Sequence, residues 1–389
     1  MNLRISIICC PFRTSFGFYA KCLKEAIERK ASGPMQWVAS NCGCGDPIET
    51  NRRFLTRECD YFDMPMPSEF RAKQAWKRRL RGAARSVILH LRAKRYANLS
   101  KQAEVVHFQQ ILNAYGSKAV FSWLKRPSSA VRIVTVHELD ADQLERPETN
   151  QTYNLADAVI AHCEDMRQHL IRLGVHPDKV HVVLHGTSIP TAPPANGRSG
   201  IVFYAGHKPM SGKGIESLFK AMTILQQRLG VEAPVLKIHG HYGTDTPEAA
   251  VQLATTMGIA DKVVWLNQIP DEDIPQLYQQ SAVCVLPFTG SFAGAAASQA
   301  AACQLPIVCT RKAGLPDHLG DAGVWVEESN VEQLADRIGA LLNNKPLQQE
   351  IAARLLKRAK ESLTWDVIAE QTLAIYEKAL ANRLSRQAA

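Results

Sequence analysis

The chain has 389 residues, 46% of them hydrophobic and 7% aromatic, and a formal net charge of +9. This length exceeds one ordinary core and predicts two α/β domains of just under about 200 residues each. No apolar run approaches the roughly 18 residues needed to span a bilayer, so we expect a globular chain. The opening segment is predicted to be a buried strand and not a signal peptide. The ten cysteines form no recurring CxxC pair, which is typical of a reducing cytosol and predicts a cytoplasmic protein.

The first half of the chain alternates short apolar runs with segments of helical periodicity. This rhythm is typical of βαβ units in a doubly wound parallel sheet. The predicted strands of this half are 5–9, 35–39, 105–108, 131–136, 158–161 and 180–184.

A linker is predicted at 187–200, where three prolines and two glycines occur with almost no large apolar residue. The βαβ rhythm then restarts and indicates a second doubly wound sheet. Its predicted strands are 201–205, 235–239, 263–266, 283–287 and 306–308. A final amphipathic helix is predicted from Thr364, because apolar residues recur at helical spacing up to Leu380. The fold class is therefore α/β with two parallel-sheet domains.

Residues 70–101 carry eleven lysines and arginines and no acidic residue. On a helix the apolar residues of this segment, Trp76 among them, lie near one stripe, a pattern typical of a helix attracted to anionic lipid. Two alternatives remain: a helix that packs on its own domain with its cations in water, and a surface that binds nucleic acid. Between the two binding partners, we predict anionic lipid and not nucleic acid. We accordingly expect a contact with the anionic inner face of the membrane.

Two strand-to-helix loops of the second domain have the composition of phosphate sites. Residues 206–214 combine glycines with His207, Lys208 and Lys213, and residues 288–299 are rich in glycine and alanine. Glycines let backbone approach a ligand, cations suit a diphosphate, and a helix starting near Gly294 would direct N–H groups at an anion. The loop at 206–214 matches neither the Walker nor the GxGxxG pattern.

These loops and further motifs occur in an order that resembles the family-four glycosyltransferases of the GT-B fold, over nearly the whole chain. The family's lysine-glycine donor loop is similar to Lys213 and Gly214. The other similar segments are 105–107, 135–138, 156–163, 182–186, 258–269, 302–308, 314–317 and 320–323.

The resemblance implies two Rossmann-like domains that face a central cleft. It implies an acceptor-side domain at 1–190, a domain at 200–363 that binds the nucleotide sugar, and a helix at 364–389 that packs back on the first. The activity it implies is transfer of a hexose-type sugar from a nucleotide-diphosphate sugar to a saccharide or lipid-linked acceptor, with retention, in bacterial polysaccharide or glycoconjugate synthesis.

The resemblance also assigns roles to individual residues. His137 would lie against the transferred sugar as the catalytic residue, and Lys213 with His207 or Lys208 would neutralise the diphosphate. The remaining donor-binding positions are Gly17 in the first glycine loop, Asn267 and Ile269 at the base, Ala293, Gly294 and Ala295 at sugar and phosphate oxygens, and Ser291 and Gln299.

The last two positions depart from the family, which carries two glutamates seven residues apart where this chain has Ser291 and Gln299. A glutamine amide still hydrogen-bonds ribose hydroxyls, whereas a serine is too short to replace a glutamate on the sugar. The alternative function is therefore a catalytically impaired relative that acts as a binding or activating subunit. No cofactor is expected besides the donor, and no metal, since Asp140 and Asp142 form a DxD by letter alone.

Overall fold

The computed structural model describes residues 2–9, 14–41, 59–63, 94, 98, 101–109, 125, 128–137, 152–206, 210, 212–240, 248–266, 269–270, 272–290 and 294–388. The chain forms two compact units. The first consists of Met1–Val183 and Ile368–Ala389, and the second of Leu184–Val367.

The first unit contains a seven-stranded parallel sheet in the order β3-β2-β1-β4-β5-β6-β7. Its strands are β1 Ile5–Cys9, β2 Met35–Asn41, β3 Cys59–Asp63, β4 Val105–Gln109, β5 Val131–Val136, β6 Ala158–Ala161 and β7 Val180–Val182. Every residue of β4 and β5 is buried, as expected for central parallel strands that are covered on both faces. The described helices of this unit include α1 Thr14–Lys30 and α2 Glu164–Arg172, with a 3-10 turn at Pro177–Lys179.

The second unit contains a six-stranded parallel sheet in the order β10-β9-β8-β11-β12-β13. Its strands are β8 Ile201–Tyr204, β9 Leu236–His239, β10 Val263–Leu266, β11 Val283–Leu286, β12 Ile307–Thr310 and β13 Val324–Val326. Its helices include α3 Ile215–Leu229, α4 Glu248–Thr256, α5 Ile274–Gln280, α6 Ala295–Ala302, α7 Leu315–Leu319, α8 Val331–Leu342 and α9 Lys345–Ser362. Two of these helices begin at asparagine caps, since Asn330 accepts from the Gln333 N–H and Asn344 from the Leu347 N–H, both at 3.0 Å.

The last helix, α10, spans Trp365–Ala388. Its first three residues belong to the second unit and the rest to the first. Within the first unit, Lys30 pairs with Glu370 at 2.6 Å, and Arg383 donates to the carbonyl of Ala130 at 2.7 Å. The C-terminal helix is thus fastened to the first unit by charged side chains as well as by its apolar face.

The predicted α/β class with two parallel sheets is confirmed, and each predicted strand is present with its ends shifted by at most three residues. Two edge strands were not predicted. The first, β3, reads CDYFD and has no apolar run, and the second, β13, has only three residues. Of the basic segment 70–101, only Lys94, Asn98 and Lys101 are described, and all three are exposed; the predicted interfacial helix itself lies outside the described residues.

Candidate functional site

The centre of the second sheet is a topological switch point. From β8 the chain order runs outward through β9 and β10 on one side, and from β11 outward through β12 and β13 on the other. In open parallel sheets a ligand binds beyond the carboxyl ends of the two strands at such a point. The loops that follow β8 and β11 are the two glycine-rich loops that the sequence indicates as phosphate sites.

Backbone contacts join these two loops. The carbonyl of Gly212 accepts from the N–H of Thr289 at 3.0 Å and from the N–H of Gly290 at 3.2 Å. Gly212 has φ +67° and Gly214 has φ +72°, and a Cβ on Gly214 would lie 1.9 Å from the carbonyl oxygen of Pro287. Glycine at position 214 is therefore required both by the left-handed backbone and by the close approach of the second loop.

Lys213 is held between these glycines. The residue is only 9% exposed, and its Nζ lies 4.4 Å from the ring centroid of Phe288 and 5.5 Å from that of Tyr204. Both rings offer the negative face of their π-systems to the ammonium group, which orients the side chain. A cation therefore stands at the carboxyl edge beside the switch point. His207 and Lys208, the other predicted cations of this loop, lie outside the described residues.

The second loop ends at the start of α6. Gly294 is the N-cap residue, Ala295 is the first helical residue, and Gln299 lies half-buried one turn further on. A Cβ on Gly294 would lie 2.1 Å from Cε1 of His318, so the helix start rests on that imidazole. In any α-helix the first N–H groups have no intrahelical acceptor and favour an anion. The predicted residues Ser291 and Ala293 lie outside the described residues.

His318 is itself fixed by two backbone groups. Its Nδ1 donates to the carbonyl of Gly314 at 2.7 Å, and its Nε2 accepts from the N–H of His185 at 3.1 Å. The carbonyl of His185 in turn accepts from the hydroxyl of Ser298 at 2.8 Å. The segment that opens the second unit is thereby bonded to α6, next to Gln299.

The predicted base-binding loop follows β10. Ile269 is half-buried and packs against the core of the second unit, whereas Asn267 lies outside the described residues. Lys213, Gly294, Ala295, Gln299 and Ile269 are thus all placed in the second unit.

His137 and Gly17 are placed in the first unit. Gly17 is buried and lies in the first turn of α1, not in the loop before it. The reason is that α1 already begins at Thr14, three residues before Gly17. Residues 10–13, which precede the helix, lie outside the described residues. His137 follows the last residue of β5 and is half-buried.

Both ring nitrogens of His137 contact protein groups. Its Nε2 is 3.0 Å from Oε1 of Gln109, and its Nδ1 is 3.1 Å from Nε2 of His162. Nδ1 of His162 donates to the carbonyl of Val183 at 2.9 Å. The ring of Tyr19 packs edge-on against His137, with centroids 4.7 Å apart. The orientation of the His137 ring is therefore defined from three sides.

The chain of polar contacts continues into the core. Nε2 of His107 is 3.2 Å from the Gln109 amide nitrogen and 2.7 Å from the hydroxyl of Thr135, and its Nδ1 is 2.6 Å from the hydroxyl of Tyr376. His107, Gln109, Thr135 and Tyr376 are all 0% exposed. The C-terminal helix therefore supplies one end of a hydrogen-bonded chain whose half-exposed member is His137.

Burial keeps the other two histidines neutral. Desolvation, and secondarily the neighbouring His162, lowers the pKa of His107 to about 3. Desolvation lowers the pKa of His162 to about 4, against the opposing effect of its bond to the Val183 carbonyl. Neither ring carries a charge near neutral pH.

Sequence reasoning missed the partners of both predicted centres: Gln109, His162 and Tyr376 around His137, and Phe288 and His318 in the second unit. One signal was available. A polar residue within or next to a buried apolar strand needs a hydrogen-bond partner. His107 and Gln109 lie in β4, and His162 directly follows β6.

Within the described part of the chain, no group of three or more histidine, cysteine or acidic residues is placed to hold a metal ion. The same residues include no helix with the length and apolarity to cross a bilayer.

Comparison with known proteins matches residues 198–344 to the family Glycosyl transferases group 1 and residues 56–189 to Glycosyltransferase Family 4. Together the two ranges cover more than half of the chain. A D-inositol 3-phosphate glycosyltransferase of Mycobacteroides abscessus is 27% identical over 309 residues, which are 72% of this chain and 69% of that one. An O-antigen chain mannosyltransferase B of Escherichia coli is 28% identical over 167 residues, 42% of each chain.

The fold agrees with these matches. The crystal structure of Anabaena HepE in complex with UDP-glucose superposes with a TM-score of 0.70 at 13% identity, and covers 99% of this chain and 100% of that one. The two doubly wound parallel sheets, taken with these sequence matches, place the chain in the GT-B class of glycosyltransferases. The chain belongs to the group 1 and family-four glycosyltransferases.

Proposed function

We propose that the chain transfers a hexose-type sugar from a nucleotide-diphosphate sugar to a saccharide or lipid-linked acceptor, in bacterial polysaccharide or glycoconjugate synthesis. The names of its relatives support this proposal, since they include an inositol-phosphate glycosyltransferase and an O-antigen mannosyltransferase. The bound UDP-glucose of a protein with the same fold supports the class of donor.

The observation that carries the proposal is the position of Lys213 in two joined glycine-rich loops at the switch point of the second sheet. A lysine that is 9% exposed, with its ammonium group oriented by aromatic rings, is suited to a fixed, multiply charged anion. Glycines on both sides allow a diphosphate to approach the backbone. In the proposed complex, Lys213 neutralises the diphosphate together with His207 or Lys208, and backbone groups from Ala293 to Ala295 meet sugar and phosphate oxygens.

The proposed reaction forms no covalent bond between the sugar and the protein and needs no metal. The acceptor hydroxyl attacks the anomeric carbon on the face from which the diphosphate departs, through an oxocarbenium-like transition state. The bond to the diphosphate breaks as the new glycosidic bond forms, the hydroxyl proton passes to the departing phosphate oxygen, and configuration is retained. Lys213 stabilises the negative charge that grows on the leaving group. His137 lies against the transferred sugar, Gln299 hydrogen-bonds the ribose hydroxyls, and Asn267 and Ile269 hold the base.

A calorimetric panel tests the donor site. Nucleotide sugars and free nucleoside diphosphates are titrated into the wild type, into Lys213→Ala and into Lys220→Ala. Loss of a charged hydrogen bond of about 1.5–3 kcal/mol predicts that Lys213→Ala weakens binding roughly 10- to 100-fold. Lys220 is the matched control, because it is an exposed lysine of the same unit that pairs with Glu216 at 2.7 Å. Equal affinities of the two variants would contradict the assignment.

The second candidate function is a catalytically impaired relative that acts as a binding or activating subunit. The observation in its favour is Gln299, a half-buried amide where the family has a carboxylate. Release of nucleoside diphosphate from the bound donor, with and without candidate saccharide acceptors, separates the two. A subunit would bind the donor and release nothing, whereas a transferase would release it in step with transfer.

We further propose that the protein works in the cytoplasm and contacts the inner membrane face through residues 70–101. The eleven cations of this segment, with no acidic residue among them, support the proposal. Co-sedimentation with vesicles of anionic or neutral lipid tests it. Binding to anionic vesicles alone, which weakens as salt rises, is expected; equally weak binding to both kinds would refute it.

A further inference from the structure

We propose that His162 is a positioning residue for His137: it fixes His137 with a proton on Nδ1 and leaves Nε2 as the nitrogen that exchanges Gln109 for the substrate. The part of this inference that concerns the substrate rests on the proposed function, whereas the assignment of the proton does not.

The assignment follows from one unambiguous acceptor. A backbone carbonyl only accepts, so Nδ1 of His162 carries a proton toward Val183 at 2.9 Å. Since burial keeps His162 neutral, its Nε2 has a lone pair and accepts. The contact of 3.1 Å between that nitrogen and Nδ1 of His137 therefore requires the proton to be on His137.

The other nitrogen of His137 has a partner that adapts. Gln109 contacts Nε2 of His137 at 3.0 Å with one end of its amide and Nε2 of His107 at 3.2 Å with the other. An amide has one donor end and one acceptor end, so rotation by half a turn lets it match His137 with or without a proton on Nε2. Nδ1 is thus held to one state, and Nε2 is compatible with two.

Exposure distinguishes His137 from its hydrogen-bonded neighbours. His107, Gln109 and His162 are 0%, 0% and 4% exposed, whereas His137 is half-buried. Of these four hydrogen-bonded residues, His137 is the one that a ligand reaches. A sugar hydroxyl that takes the place of Gln109 meets a ring whose tilt is set by Tyr19 and whose Nδ1 is set by His162.

The first test is nuclear magnetic resonance of ring nitrogens in protein labelled with 15N-histidine, with the His137 signals assigned by their disappearance in His137→Gln. We expect Nδ1 of wild-type His137 to have the shift of a protonated nitrogen. A tautomer with the proton on Nε2 alone would overturn the proposal without any variant at position 162.

Variants at position 162 provide the second test. His162→Leu removes the acceptor, and we expect the Nδ1 signal of His137 to move toward the mixed-tautomer value. His162→Gln retains a donor for Val183 and an acceptor for His137, and we expect it to restore the wild-type shift. His176→Gln, an exposed histidine of the same unit, is the matched control.

Kinetics connect the assignment to the proposed reaction. An unsatisfied buried group costs about 1–3 kcal/mol, so kcat should fall about 5- to 150-fold in His162→Leu, with partial recovery in His162→Gln. The donor dissociation constant should stay within about twofold, because the diphosphate contacts are assigned to other side chains. An unchanged kcat in His162→Leu would overturn the positioning role. If no nucleotide sugar binds the wild type, the proposed function fails, and the nitrogen shifts still decide the proton assignment.

Discussion

Replacement of Gly214 by alanine would test how the two loops of the second unit hold Lys213. The new Cβ would lie 1.9 Å from the carbonyl oxygen of Pro287 and 2.8 Å from its carbonyl carbon. Both are backbone atoms, so no side-chain rotation relieves the overlap. The residue also has φ +72°, which costs an L-residue about 1–2 kcal/mol.

The expected loss of stability has two parts. Left-handed strain contributes about 1–2 kcal/mol and the overlap about 1–3 kcal/mol, so Gly214→Ala should lose about 2–5 kcal/mol. Gly258→Ala is the matched control, because Gly258 has φ +69° in the same unit and nothing within 4 Å of the position of its Cβ. The control should lose only the strain, about 1–2 kcal/mol.

Urea denaturation of both variants measures the difference, and calorimetry under native conditions measures nucleoside diphosphate binding. We expect Gly214→Ala to be the less stable of the two and to bind at least about tenfold more weakly, since Lys213 must move with its neighbour. The control should bind as the wild type does. Equal losses of stability in the two variants would refute the argument that the loops are in contact at this position.

Two further predictions concern other parts of the two centres. Gly294→Ala should lose about 1–3 kcal/mol of stability by urea denaturation, because its Cβ would lie 2.1 Å from the buried His318 ring, whereas Gly290→Ala, with open space around it, should be neutral. The pKa of His162 is lowered to about 4 in the folded protein, so the unfolded chain binds more protons between this pKa and about pH 6.5. The contribution of neutral His162 to the free energy of unfolding is therefore complete above about pH 6.5 and is lost as the pH falls toward about 4. Denaturation midpoints measured from pH 7.5 to pH 4.5 should fall accordingly, and a smaller fall in His162→Gln than in the wild type is expected; identical profiles would contradict this.

The sequence predicts the fold well because parallel strands that are buried on both faces appear in the sequence as short runs rich in apolar residues. The runs that became β4, β5 and β11 are buried at every position, and apolar residues occupy three of five, four of six and all four of their positions. The two strands that were not predicted lack a clear apolar run: β3 has acidic residues at two of its five positions, and β13 is only three residues long. A strand at the edge of a sheet is covered on fewer sides, so its sequence is less constrained.

The predicted site residues were recognised by local motifs, and their partners were not. Tyr376 is 269 positions from His107, and His318 is 24 positions from Gly294, with nothing in either local sequence to connect them. The spacing of apolar residues predicts which face of a helix is buried, but not which side chains of other elements contact that face. The contacts that orient His137 and support Gly294 therefore had to come from the structure.

In the second unit, the proposed diphosphate contact of Lys213 is independent of Gln299, the position where the resemblance implies a glutamate. Lys213 is positioned by the left-handed Gly212 and Gly214, by backbone bonds to the second loop and by the Phe288 ring, and none of these features involves Gln299. A glutamate-to-glutamine change at that position leaves the cation and the backbone around it in place. We therefore expect the proposed affinity for the diphosphate to persist with glutamine at position 299, and any loss to fall on ribose recognition and on turnover. A donor that binds normally but transfers slowly would be the expected signature of this chain.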